Sequence, residues 1–169
     1  AHIDVAEINP HVIALRDEFC IPPDDQRFQI LAADGAAFVR QAVTSYDVLL
    51  LDGFDDQGLP PSLSSTRFYQ DCAQALRPGG ILVANFPAGQ SGLKTYVKRI
   101  QRHFADAVVQ IGYEGLDNII VLAFKPQEGQ ALPARIGVMG RPSCLDDEAW
   151  EQLMPAFAQI AKVWNDHQA

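Results

Sequence analysis

Nowhere among these 169 residues do apolar positions run together for long. A membrane span needs about 18 of them in succession, so the sequence predicts no membrane partner. Basic residues are also scarce: 13 Lys and Arg stand against 21 Asp and Glu, a net charge of −8. Phosphate contacts need clustered cations, so nucleic acid is excluded as a general partner; a small cationic ligand fits this balance. Cysteine is thin as well. Cys20, Cys72 and Cys144 are odd in number, far apart and without CxxC spacing. They predict no disulfide framework and read as reduced thiols in a cytoplasmic setting. Neither a basic n-region nor an apolar h-region opens the residues, which predicts no secretory signal. His, Cys, Asp and Glu nowhere recur at metal-ligand spacing, so no metal is expected. Residues 89–92, "GQSG", lack the GxSxG elbow, which leaves hydrolase chemistry unsupported.

What the chain does have is a 48% apolar content and a clear alternation of elements. The length suits one domain with a real core. "HIDVAEI" (2–8) reads as a strand, and Asn9-Pro10 offers an N-cap and an N1 proline for a helix over 10–19. "RFQILAA" (27–33) is a second strand, followed by the turn Asp34-Gly35 and the helix "AAFVRQAV". "YDVLLLD" (46–52) is nearly all apolar, as a central parallel strand covered on both faces would be. A Gly/Pro/Ser-rich loop leads to a helix over 64–76 that "RPGG" ends, then to the strand "ILVANF" (81–86) and a helix over 93–105. "AVVQIGY" (107–113) and "NIIVLAFK" (118–125) read as an antiparallel pair. A final amphipathic helix over 146–165 carries Trp150, Leu153, Phe157, Ile160, Ala161 and Trp164 in one stripe. The fold class is therefore α/β, mostly parallel with an antiparallel C-terminal pair and helices on both faces.

In such sheets ligands bind beyond the carboxyl ends of the strands. Glu7, Asp34 and Asp52 each stand at such an end, and Asp55 and Asp56 follow in the loop. Glu7 has the two oxygens that can accept both hydroxyls of a ribose, but an acid beside a helix start is also favoured by the helix dipole. Asp34 can accept from an adenine amino group while Gly35 lets backbone come close; Asp-Gly is equally an ordinary turn. The Asp52–Asp56 cluster can take a proton from an amine or hold a cation, neighbouring carboxylates making a better base near neutral pH. Its alternative is a solvated acidic turn. The Tyr69 phenol can reach the pocket or belong to the core.

"VAEINPHVIALRDEF", "RFQILAADGAAFV", "YDVLLLDGFDDQG" and "LSSTRFYQDCAQALRPGGILVANF" together resemble the spermidine synthase family of polyamine aminopropyltransferases. That family lies within the class I S-adenosylmethionine-dependent methyltransferase superfamily. The resemblance implies a Rossmann-like methyltransferase-type sheet over residues 1–125 that lacks the family's first strand and Gly-rich loop. Residues 126–169 would add a loop and helix packed on the same domain. It implies transfer of an aminopropyl group from decarboxylated S-adenosylmethionine to an amine such as putrescine. By resemblance Glu7, Asp34, Gly35 and Asp52 would hold that co-substrate, or S-adenosylmethionine itself. Asp52 and Asp55 would be catalytic, Asp55 deprotonating the amine, and Asp55, Asp56 and Tyr69 (of Phe68-Tyr69) would face the amine. It also implies a homo-oligomer. The usual Asp after the ribose acid is Asn9, the proline after the second aspartate is Asp56, and "VANF" replaces a Gln-containing strand end. These departures leave a methyltransferase of another small substrate, or a non-catalytic module, as alternatives.

Overall fold

The computed structural model describes residues 1–43, 46–55, 58–105, 107–112, 117–129, 135–137 and 140–167. The chain opens with β1 (Ile3–Glu7), α1 (Pro10–Ala14), β2 (Phe28–Ala32), α2 (Gly35–Gln41) and β3 (Tyr46–Leu51). There follow α3 (Pro61–Ser64), α4 (Thr66–Ala75), β4 (Leu76–Pro87), α5 (Leu93–Phe104), β5 (Val108–Ile111), β6 (Asn118–Phe124) and α6 (Asp147–His167). Asn9 caps α1 with Pro10 in its first turn, and the Asn9 side chain accepts from His11 N at 2.9 Å. The helix is shorter than the 10–19 expected. After Ala14, Ile21 N returns to Arg16 O at 2.8 Å, while the Arg16 guanidinium donates to Pro22 O and to Asp24 at 2.9 Å. These bonds fold the segment back into a closed loop.

β1 and β2 form a parallel pair, and a second sheet has the order β3-β4-β6-β5. β3 is parallel to β4, and β6 is antiparallel to both β4 and β5. Val48 pairs with Ile81 and Leu50 with Val83, so those four share one face of the second sheet; Leu49, Leu51, Leu82 and Ala84 share the other. The second face carries the main core, where Phe68, Tyr69, Cys72, Phe86, Ile100 and Phe104 pack and α2 adds Ala36 and Val39. The first face carries a smaller cluster in which Trp164, Ile160 and Val163 of α6 lie on Val109, Ile111 and Leu122. Helices thus cover both faces, but unequally. Val48 is 48% exposed and Leu50 77%, so the apolar run of β3 is not covered on both sides as its composition implied.

Two further boundaries differ from the sequence reading. The 64–76 helix is broken at Ser65, whose hydroxyl accepts from Phe68 N at 3.0 Å and starts α4 afresh. β4 begins at Leu76, earlier than expected, because "RPGG" is drawn into the strand: Arg77 grips both oxygens of Asp47 at 3.0 Å. Gly80 makes this possible, since a Cβ there would stand 2.9 Å from Arg77 O and 3.0 Å from Asp47 O. No helix among the described residues is long and apolar enough to cross a membrane.

Candidate functional site

The carboxyl ends of β1 and β2 lie side by side in their parallel pair. Ala33 N donates to Glu7 O at 3.1 Å, which carries the β1–β2 register one step past the ladder and sets Glu7 beside Asp34. Leu63 then joins β2 to β3. A Cβ on Gly35 would meet Leu63 Cδ2 at 3.6 Å, and one on Gly53 would meet Leu63 Cδ1 at 2.7 Å. The backbones just after Asp34 and Asp52 therefore flank one leucine, and a side chain at Gly53 would have to displace the tip of Leu63.

Each acid is held differently. Glu7, half-buried, accepts from Asn9 N through Oε1 at 2.7 Å. Asp34 is the N-cap of α2 and accepts from Ala37 N through Oδ1 at 2.7 Å. Both acids thus take up the local helix-start role, using one oxygen each. Asp52 is exposed, and its Oδ1 accepts from Asn85 Nδ2 at 3.1 Å. Asp55 and Gly58 exchange backbone hydrogen bonds of 2.9 and 3.1 Å, which closes the loop and fixes the Asp55 backbone; Gly58 takes φ +109°. Asp56, expected beside it, lies outside the described residues. The ion pairs found among the described residues do not involve Glu7, Asp34 or Asp52. A row of such carboxylates attracts cations and accepts N–H or O–H donors.

Tyr69 is placed otherwise. It is 0% exposed, in the main core, and its hydroxyl finds no hydrogen-bond partner among the described residues. Burial, then the neighbouring Cys72 and Tyr96, push its phenol pKa up against the pull of Arg99. The structure therefore does not bring Tyr69 to the acidic edge; its neighbour Phe68 is likewise buried. Among the described residues no group of three His, Cys, Asp or Glu is placed to hold a metal ion.

Asn85 is the residue that sequence reasoning missed. Leu51 pairs with Ala84, so the next residues of β3 and β4, Asp52 and Asn85, meet side by side. The Asn85 Oδ1 is buried and has no hydrogen-bond partner among the described residues. The signal was a polar residue at the end of an otherwise apolar strand, legible only once the register of β3 and β4 was known.

Residues 1–114 match the spermine/spermidine synthase domain. A polyamine aminopropyltransferase of Neisseria meningitidis serogroup A is 34% identical over 120 residues, covering 70% of this chain and 46% of its own. One from Chromobacterium violaceum matches with the same identity and coverage. The chain spans about half the length of these curated relatives. A probable spermidine synthase from Corynebacterium glutamicum superposes with a TM-score of 0.62 at 25% identity, over 72% of this chain and 46% of that one. Human methyltransferase-like protein 13, in complex with SAH, superposes over 95% of this chain and 71% of its own, with a TM-score of 0.66. At 20% identity that second likeness is one of fold.

Proposed function

The chain belongs to the spermine/spermidine synthase family, and from that premise we propose that its protein transfers an aminopropyl group from decarboxylated S-adenosylmethionine to a small amine such as putrescine. The observation that carries this reading is the row of acids at three neighbouring strand ends, in a stretch that matches the family domain. A nucleoside presents hydroxyl and amino donors, which carboxylates accept. Glu7 and Asp34 each use one oxygen within the protein, and the second oxygen of each suits such a donor. Gly35 adds no side chain between Asp34 and a ligand. The co-substrate supplies the chemistry through its sulfonium, which leaves as a neutral thioether.

In the proposed step the amine nitrogen bonds to the aminopropyl carbon while the carbon–sulfur bond breaks, its electron pair going to sulfur. The amine must shed a proton, and Asp55 is the base assigned to it. Asp52, held by Asn85, fixes the cationic partners by charge. Asp56 would complete the acidic face toward the amine. Tyr69 keeps no contact role in this scheme; it packs in the main core.

The test is calorimetric titration with 5′-methylthioadenosine, the product nucleoside, followed by an assay of spermidine formed from putrescine. Binding together with turnover is the expected result. A protein that binds no nucleoside under any condition in which it is folded would remove the proposed site. One that binds but transfers only a methyl group would reassign the reaction.

A further inference from the structure

Arg99 of α5 is a half-buried cation that takes part in none of the ion pairs found among the described residues. A guanidinium so placed needs other acceptors, and Arg99 has two. Its Nη1 donates to Ser64 O at 2.6 Å, and its Cζ lies 6.0 Å from the centre of the Tyr96 ring. Ser64 is 6% exposed and ends α3, so Arg99 caps, from another helix, a carbonyl that α3 cannot bond itself. Both contacts lead to one place. Leu63, next to Ser64, lies against the backbones of Gly35 and Gly53. Tyr96 stacks on Phe86 at 5.9 Å, and Phe86 meets Phe54 edge-on at 6.4 Å. Gly53 and Phe54 are the residues that separate Asp52 from Asp55.

We infer that Arg99 is a positioning residue that sets Asp52 and Asp55 relative to Asp34, an assignment that rests on the transfer proposed above. It acts through Leu63 on one side and through the Tyr96, Phe86 and Phe54 rings on the other. Glu7 and Asp34 are held without α5, by the β1–β2 ladder and by their own bonds to Asn9 N and Ala37 N. Asp52 and Asp55 follow β3, in the other sheet. Leu63 spans the two, since Gly35 follows Asp34 and Gly53 follows Asp52. Arg99 fixes the backbone that carries this leucine. Transfer between two bound partners depends on their alignment, and a misplacement of about 1 Å can cost about 10²-fold in rate. A residue that touches neither partner can therefore govern the step. Arginine suits the place because one side chain reaches both the carbonyl and the ring.

Two substitutions with two readouts test this. Arg99→Met keeps an apolar stem and removes the donor, whereas Arg99→Lys keeps both a donor and the charge. In the Met variant putrescine turnover should fall about tenfold, while the Kd for 5′-methylthioadenosine changes by less than about twofold. Lys should restore most of the rate. Leu63→Ala should slow turnover too, and combined with Arg99→Met it should cost less than the product of the two single effects. A folded Met variant with wild-type turnover would overturn the inference. So would a rate that falls only in step with the melting temperature, or one that Lys does not recover. The second readout needs no activity: the amide resonances of Gly35 and Gly53. Gly53 should shift in the Met variant and return in the Lys variant, and an unmoved Gly53 would overturn the inference. A wild-type protein that neither binds nucleoside nor transfers to an amine would remove the proposed function, and the Gly53 amide would then decide the part of Arg99 by itself. Should the Met variant not fold, Arg99→Gln, too short to reach Ser64, replaces it with the same expectations.

Discussion

Replacing Asn85 by Asp puts a second carboxyl 3.1 Å-close to the oxygen that now receives its amide. Two unit charges at about 4 Å repel by about 1 kcal/mol in bulk water and about 4 kcal/mol at an effective dielectric of 20. Asp52 is exposed and Asn85 half-buried, so the cost at neutral pH belongs between those limits, at about 1–3 kcal/mol. Asn85→Leu removes the donor without adding charge. Because water can take the place of the lost amide at an exposed carboxylate, its cost through this bond should be no more than about 1 kcal/mol. The two variants therefore separate by pH. Repulsion raises the pKa of the pair in the folded state, so the Asp variant's deficit is full above that pKa and fades as falling pH protonates one partner. The Leu variant's deficit should stay flat. Urea unfolding at pH 7 and pH 4 reads both. An Asp variant as stable as wild type at pH 7, or a deficit that does not shrink on acidification, would refute the contact between β3 and β4 that holds Asp52.

Gly53→Ala places its Cβ 2.7 Å from Leu63 Cδ1 and should cost about 1–3 kcal/mol, whereas Gly35→Ala, at 3.6 Å, should cost far less on packing grounds; thermal melts of the pair compare them. Burial, and after it the hydrogen bond to Asp4, push the Tyr46 phenol up from 10.0 to about 12. Its stabilisation is thus complete below pH 10 and lost as pH rises through about 12. An absorbance titration should show a late tyrosinate step that Tyr46→Phe removes. Asp55→Asn should lower turnover in a putrescine assay by about 10²-fold with nucleoside binding retained, and unchanged turnover would take the proton-acceptor role from Asp55.

The order of elements was legible because each strand is a short apolar run and each junction has its own chemistry, as at Asn9-Pro10 and Asp34-Gly35. What escaped depends on distant partners. The end of α1 is set by Arg16 reaching Pro22 and Asp24, which no local propensity reveals. Its nearly all-apolar composition makes β3 a two-sided strand, yet whether Leu50 is covered depends on what lies beside it, and here it is 77% exposed. Tyr69 shows the limit of a motif: helix aromatics pack inward by default, and this one is wholly buried. Asn85 acquires meaning only through the pairing of Leu51 with Ala84.

The structural and functional readings of the strand-end acids are not rivals. Asp34 spends Oδ1 on Ala37 N, and the proposed nucleoside contact falls to its other oxygen. Capping and ligand binding can therefore be pulled apart by chemistry. Asn caps a helix about as well as Asp, so Asp34→Asn should leave stability within a few tenths of a kcal/mol, while Asp34→Ala should cost about 1 kcal/mol. Affinity for 5′-methylthioadenosine should fall in both, because the ligand meets a carboxylate in neither. Were affinity to fall only in the Ala variant, in step with its melting temperature, Asp34 would be a cap alone and the nucleoside reading of β2 would fail.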